Sequence, residues 1–412
     1  MRFERTHLKQ IESLAATGMP GAYKVLIFFL IQHLYSTESL GNIASWISAS
    51  QIIGFFTAIG WCALIVVRVA KADSHQSRLQ ALNNLTIMSL ATLLFFTGTL
   101  FLIGKAFNLE NTAQQICYWT IAWTSYQIPR HYFIALTQYR RALAMDLSII
   151  LLSMLSFATG SEVNASVHLA LAMFVPGAIA FFTLQFGAKP KPPAFGFDIK
   201  GLEFGLINFL TGGISLSLIP LAAYFEGKEF AGTLSLFISI TAISLLLPRA
   251  ISLKYLPELS ANVRNYEKFK KAISTMKQQI TVCNLLSTFA SVLIATFFII
   301  TSQAQSKYYL ALTLTLLIIQ NLISTNSLTD SNILMAHENS RSMLAVSSIT
   351  SFSFFTLAII LCITTLKGVF LFLCLALTAI TYYRASSLRK KTSHMSSSRS
   401  NTNTKNPHEQ NT

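Results

Sequence analysis

The sequence predicts an all-α integral membrane protein, with twelve transmembrane helices in two six-helix lobes around a central cavity. Three observations carry that expectation. Apolar residues make up 52% of the 412 residues while only 11% are charged, and the mean hydropathy is +0.52. A water-soluble chain of this length carries about 25% charged residues, so a soluble enzyme is excluded. The apolar residues fall in blocks of about 20, the length that crosses the hydrocarbon of a bilayer, and not in a strand or surface-helix stripe. Finally, the basic residues sort onto alternate connections between those blocks.

Taken in order, the blocks are 17–36, 43–67, 82–104, 113–138, 142–160, 165–187, 202–224, 230–251, 277–301, 308–336, 342–366 and 368–384. The first is interrupted by Lys24 and Gln32, and the tenth is long and carries Asp330. With an even number of spans both termini share one side. Placing them in the cytoplasm puts Arg2, Arg5 and Lys9, then Arg68, Lys71 and Arg78, then Arg140 and Arg141 inside. The inside set continues with the lysines of 188–200, the run Lys254–Lys277, Arg341 and the basic tail. The outside connections receive only Lys105, Lys228, Lys307 and Lys367. This asymmetry accounts for the net charge of +15 without a nucleic-acid partner. No removable signal peptide is expected, because the run Val25–Ile31 is short and lacks a small-residue cleavage site.

The domain organisation follows from composition. Residues 1–187 form an N-terminal lobe, and residues 201–386 form a C-terminal one. The segment 188–200, with three prolines and three lysines, is a cytoplasmic spacer. Residues 387–412, rich in Ser, Thr, Asn and Lys without an apolar period, are expected to be a disordered cytoplasmic tail. Both lobes start on the same side, so a repeat would be parallel. A short echo supports one: Gly41-Asn-Ile-Ala-Ser-Trp-Ile-Ser48 opens the second block and Gly232-Thr-Leu-Ser-Leu-Phe-Ile-Ser239 the eighth.

Catalytic signatures are missing. No phosphate-binding G-x-x-x-x-G-K-[ST], H-E-x-x-H, G-x-S-x-G or D-x-D occurs, and no outside connection is long enough for a catalytic domain. The five cysteines sit in apolar blocks without CxxC or CxxH spacing, which argues against a zinc site or disulfide frame. A compact helical body of this kind suits a transporter, with no resident cofactor and coupling to a proton or sodium gradient.

Ionisable residues at membrane depth are the candidate functional residues. Lys24, Arg68, Arg130 and Arg249 share the cytoplasmic third of their blocks. Facing a common cavity, they would attract a polyanionic head group, arginine offering paired donors to phosphate. For Arg68 and Arg249 at helix ends, and for Lys24, snorkelling to the interface is the competing reading. Arg130, next to Pro129, lies too deep for that. Asp330, one turn after Asn326, either exchanges a proton or cation or marks the end of its helix. Asp146 is expected to be an interfacial partner of Arg140 and Arg141.

Two stretches carry a family resemblance. Leu40-Gly41 through Val67-Arg68-Val69-Ala70 resembles the second helix of the O-antigen and polysaccharide flippases of the multidrug/oligosaccharidyl-lipid/polysaccharide exporter superfamily. Leu253-Lys-Tyr-Leu-Pro257-Glu-Leu-Ser260, followed by a basic run, is similar to their loop after helix eight. The resemblance implies the two-lobed fold of the superfamily's multidrug and toxin exporters (MATE-like) in a bacterial inner membrane. It also implies alternating access carrying an undecaprenyl-diphosphate-linked oligosaccharide between leaflets, with Lys24, Arg130, Arg249 and Arg68 as diphosphate ligands. Membrane lipids, a polysaccharide polymerase and a chain-length regulator are the implied partners. The alternative within the superfamily is a cation-coupled multidrug exporter, in which carboxylates such as Asp146 and Asp330 would be essential.

Overall fold

The computed structural model describes residues 2–159, 162–186, 199–244, 247–249, 251–252, 255, 259, 262–263, 265–301, 307–337, 340–363 and 368–403. The described residues are mostly helical. The helices are α1 (Arg2–Leu34), α2 (Thr37–Gly54), α3 (Gly60–Lys71), α4 (His75–Ala106), α5 (Glu110–Ala135), α6 (Tyr139–Thr159), α7 (Ala165–Gln185), α8 (Lys200–Glu226) and α9 (Lys228–Ser244). They continue with α10 (Tyr266–Thr301), α11 (Lys307–Asn326), α12 (Leu328–Ala336), α13 (Ser340–Ile363) and α14 (Val369–Asn403). The chain is an all-α, multi-pass membrane protein: among the described residues ten helices are long and apolar enough to cross a bilayer.

Two of the twelve expected spans are not among those ten. α5 has the length, with 26 residues, but Gln114, Gln115, Gln127, Arg130 and His131 make it too polar to be read by hydropathy alone. α9 has 17 described residues, and Leu245 and Leu246 beyond it lie outside the described set. Three other boundaries moved. The block 43–67 is one span, Thr37–Ala70, with a π-helical turn at Phe55–Ile59 joining α2 to α3. The block 308–336 breaks at Ser327 into α11 and α12. The expected disordered tail instead continues α14 as helix to Asn403, since a polar sequence lacking Gly and Pro extends a helix already nucleated in the membrane. Residues 404–412, the linker residues 188–198 and most of Leu253–Ser260 lie outside the described residues.

The helices form two compact units, Met1–Ser239 and Ile240–Thr412, so the division falls well after the Pro/Lys linker expected at 188–200. A Cβ on Gly60 would run into the backbone of Gly201 and Gly205, which lets α3 and α8 touch main chain to main chain. Small residues bring membrane helices together in this way because lipid gives no hydrophobic drive for their association. In the first unit Trp61, Trp119, Tyr132 and Phe28 are fully buried. Trp61 Nε1 donates to the Phe56 carbonyl (2.9 Å) and to Thr92 Oγ1 (3.1 Å), and Ser89 Oγ donates to the Thr57 carbonyl. These side chains satisfy carbonyls at the π-helical turn, as a water-free environment requires.

In the second unit Leu259, Phe269, Ala272, Met276 and Ile280 pack with Ala336 into one apolar cluster. Asn332 on α12 donates to the Ser252 carbonyl at 2.8 Å and accepts from Ser252 Oγ at 3.0 Å within it.

Candidate functional site

Pro20 organises the first unit's polar interior. It has no N–H, so the Ala16 carbonyl four residues earlier loses its helical donor. Arg130 of α5 supplies the missing donor through Nη2. The same guanidinium meets Asp146 of α6, Nε to Oδ1 at 3.1 Å, and Tyr126 Oη donates to that oxygen at 2.6 Å. Arg130 is 5% exposed and Asp146 3%. The pair therefore ties α1, α5 and α6 together. Asp146 is not the interfacial partner of Arg140 and Arg141; Arg140 pairs with Glu12 at 2.7 Å. A carboxylate at that depth is stable only beside a cation, and Arg130 lies level with it.

One turn beyond Pro20, Lys24 points elsewhere. It lines a small cavity of about 40 Å³ with Gln51 of α2, Trp119 and Trp123 of α5, Phe28 of α1 and Met173 of α7. Its ammonium stands 5.3 Å from the centre of the Phe28 ring. Among the described residues no carboxylate lines this cavity and no oxygen accepts a hydrogen bond from Lys24. Three of the other polar groups are engaged: Trp119 Nε1 with Ser166 Oγ (2.9 Å), Tyr23 Oη with Ser153 Oγ (3.1 Å) and Ser50 Oγ with the Ile47 carbonyl (2.7 Å), whereas Trp123 Nε1 is buried without a hydrogen-bond partner among the described residues. An intramembrane cation with only an aromatic face beside it is an incomplete site.

Of the remaining predicted residues, Arg68 belongs to the first unit and Arg249 and Asp330 to the second. Arg68 is partly exposed near the end of α3 and does not line the cavity. Arg249 is exposed in the second unit. The expected gathering of cations thus reduces, within the first unit, to Lys24 alone. Asp330 lines a pocket of its own in the second unit with Asn326, Ser327, Tyr382, Ser386 and Arg389. It follows the break at Ser327, and its Oδ1 accepts from Thr392 Oγ1 at 3.1 Å. No group of three metal-ligating side chains occurs among the described residues.

Sequence reasoning missed the aromatic walls, Trp119 and Trp123, and the Arg130–Asp146 pairing. The second was available. Arg130 and Asp146 stand equally far from Gln138 at the turn between α5 and α6, and an antiparallel hairpin brings such residues level.

No protein-family model and no curated protein matches the sequence. Solved structures do match its fold. One, described as the inward-facing conformation of a multidrug resistance MATE family transporter of the MOP superfamily, has a TM-score of 0.67 at 15% identity. The match covers 93% of this chain and 96% of that one. A MOP superfamily transporter from Pyrococcus furiosus, described as having a binding pocket of reverse polarity, scores 0.57 at 13% identity over 93% and 94% of the two chains. The MATE multidrug transporter DinF-BH, solved as a complex, scores 0.51 at 15% identity over 92% and 94%. The chain has the fold of these transporters.

Proposed function

We propose that this protein is a secondary transporter whose cargo is an amphipathic anion, and that the anionic group is met by Lys24 in the aromatic cavity of the first unit. The observation that carries the reading is the contrast between two intramembrane cations. Arg130 is neutralised by Asp146, whereas Lys24 has neither a carboxylate nor a hydrogen-bond acceptor among the described residues. A cavity with an unmatched ammonium and no acid favours an anion over a cation, because charge attraction is strong where water is scarce. Trp119, Trp123 and Phe28 offer faces to an apolar portion.

An undecaprenyl-diphosphate-linked oligosaccharide is an amphipathic anion of this class. The finer reading is therefore a flippase that carries such a lipid from the cytoplasmic to the outer leaflet of a bacterial inner membrane for polysaccharide synthesis, with both termini in the cytoplasm. Asp330, a carboxylate in a polar pocket, is the candidate for coupling to a proton or sodium gradient. A multidrug exporter is the rival, since several structures of the same fold are of multidrug transporters.

Proteoliposomes separate the two. A fluorescent polyprenyl diphosphate should cross in the presence of the protein, and Lys24→Ala should abolish the crossing while Lys24→Arg keeps part of it. Efflux of a rhodamine-type cation that survives Lys24→Ala and stops in Asp330→Asn would assign the protein to the rival class.

A further inference from the structure

Two groups reach the Lys24 cavity with hydrogen-bonding capacity unused, and they come from different helices. One is the Lys24 ammonium of α1. The other is the indole nitrogen of Trp123 on α5, which is buried and has no hydrogen-bond partner among the described residues. A buried tryptophan N–H normally finds an acceptor, because leaving it bare costs about 1–3 kcal/mol of desolvation. Two other tryptophans follow the rule. Trp61 Nε1 donates to the Phe56 carbonyl and Thr92, and Trp119 Nε1 donates to Ser166. Trp119 lines the same cavity and is satisfied; Trp123 is not.

A glycine makes the place for that N–H. A Cβ on Gly54 would stand 2.7 Å from Trp123 Cδ1 and 3.0 Å from Nε1, so the nitrogen-bearing edge of the indole fills the space that Gly54 leaves open on α2. Gln51, one turn earlier on α2, lines the cavity too. Its carboxamide can present either an N–H or an oxygen. On its own helix, Trp123 packs against Tyr126 with ring centres 6.0 Å apart, and Tyr126 is bonded to Asp146. The indole is thus held from the α2 side by backbone and from α5 by a tyrosine that Asp146 fixes.

The size of the cavity limits what can meet both donors. About 40 Å³ is room for roughly three water molecules at ~10–15 Å³ each. A glycan ring or a prenyl chain does not enter such a space, but the end of one oxyanion group does. A phosphoryl, sulfonate or carboxylate end brings negative charge and several acceptor oxygens to an ammonium and an N–H. A cation leaves both donors bare.

We infer that Trp123 Nε1 is the second donor of the anion site, orienting a single oxyanion group whose charge Lys24 meets, with the Gln51 amide as the third contact. The inference rests on the reading of this cavity as an anion site and deepens it. An ammonium on a flexible stem attracts without fixing direction, whereas the indole N–H is a single donor on a rigid ring. The site therefore selects how an oxyanion is presented, beyond selecting its charge.

The chain has four tryptophans, Trp46, Trp61, Trp119 and Trp123, so protein isotopically labelled at the indole nitrogens gives signals that can be followed singly by NMR in detergent. Trp123→Phe identifies the Trp123 signal and keeps an aromatic ring in place. On titration with a short-chain polyprenyl diphosphate, the Trp123 N–H should move downfield saturably and exchange more slowly with water. The Trp61 and Trp119 signals, from N–H groups already bonded, should stay. Calorimetry should show binding about tenfold or more weaker in Trp123→Phe, the loss of one hydrogen bond to a charged group. Gly54→Ala should weaken it as well, by displacing the indole edge while leaving Lys24 in place; unchanged Trp61 and Trp119 signals verify that both variants fold. A Trp123 signal that stays still, or undiminished affinity in Trp123→Phe, while Lys24→Ala abolishes saturable binding would overturn the inference and leave the anion site standing. Absence of saturable binding to the parent protein would overturn the anion site, and this inference with it.

Discussion

Arg130 and Asp146 meet at 3.1 Å across the α5–α6 hairpin, both buried, and this pairing decides which intramembrane cation is left for a ligand. The guanidinium is held by a carboxylate and by the carbonyl that Pro20 releases, so its charge is used within the protein. Lys24 has no such partner.

Breaking the pair should be costly. Asp146→Ala leaves an uncompensated guanidinium among buried side chains and is expected to lower stability by about 3–5 kcal/mol. Arg130→Met combined with Asp146→Leu should recover most of that loss, measured by thermal unfolding in detergent. A double variant as unstable as the sum of its single changes would show that the charges themselves are required.

The π-helical turn in the second span gives a separate expectation. Trp61→Phe removes the donor to the Phe56 carbonyl and to Thr92 while preserving the ring. A loss of about 1–3 kcal/mol should follow, the usual consequence of stranding buried polar atoms. Unfolding midpoints equal to the parent's would mean that other groups satisfy this carbonyl.

Within the second unit, Asn332 holds Ser252 by two hydrogen bonds inside an apolar cluster. Asn332→Leu should destabilise by about 1–3 kcal/mol, and adding Ser252→Ala should return part of it by removing the unmatched hydroxyl. Denaturation of the single and double variants checks this, and the account fails there if the second change makes matters worse.

Asp330→Asn removes a charge but retains an oxygen for the Thr392 hydroxyl. Thermal stability should stay near that of the parent, while cargo movement driven by an imposed proton or sodium gradient should be lost. Undiminished gradient-driven movement would remove Asp330 from the coupling step.

The sequence made the fold class plain because membrane insertion depends on a property that can be summed along the chain. Apolar length marked most spans. Hydropathy marked α5 as the block 113–138 but could not show which distant neighbours meet its polar side chains, such as Ser166 on α7 for Trp119. It also could not show that Arg130 is neutralised, because depth was judged for one residue at a time. Pairing becomes visible only when the α5–α6 turn is taken as a mirror. The helical continuation of α14 to Asn403 was hidden for another reason: composition signals solubility, and a polar segment can still be helical when it extends an anchored helix.

The central claim, that an unpaired lysine makes the first unit's cavity an anion site, is tested most directly by tryptophan fluorescence, because Trp119 and Trp123 form its walls. Purified protein would be titrated in detergent with a short-chain polyprenyl diphosphate and, separately, with a rhodamine-type cation. The account predicts saturable quenching by the anion only, with affinity about tenfold or more weaker in Lys24→Ala and partly restored in Lys24→Arg. Saturable quenching by the cation, together with an anion curve that Lys24→Ala leaves unmoved, would contradict it.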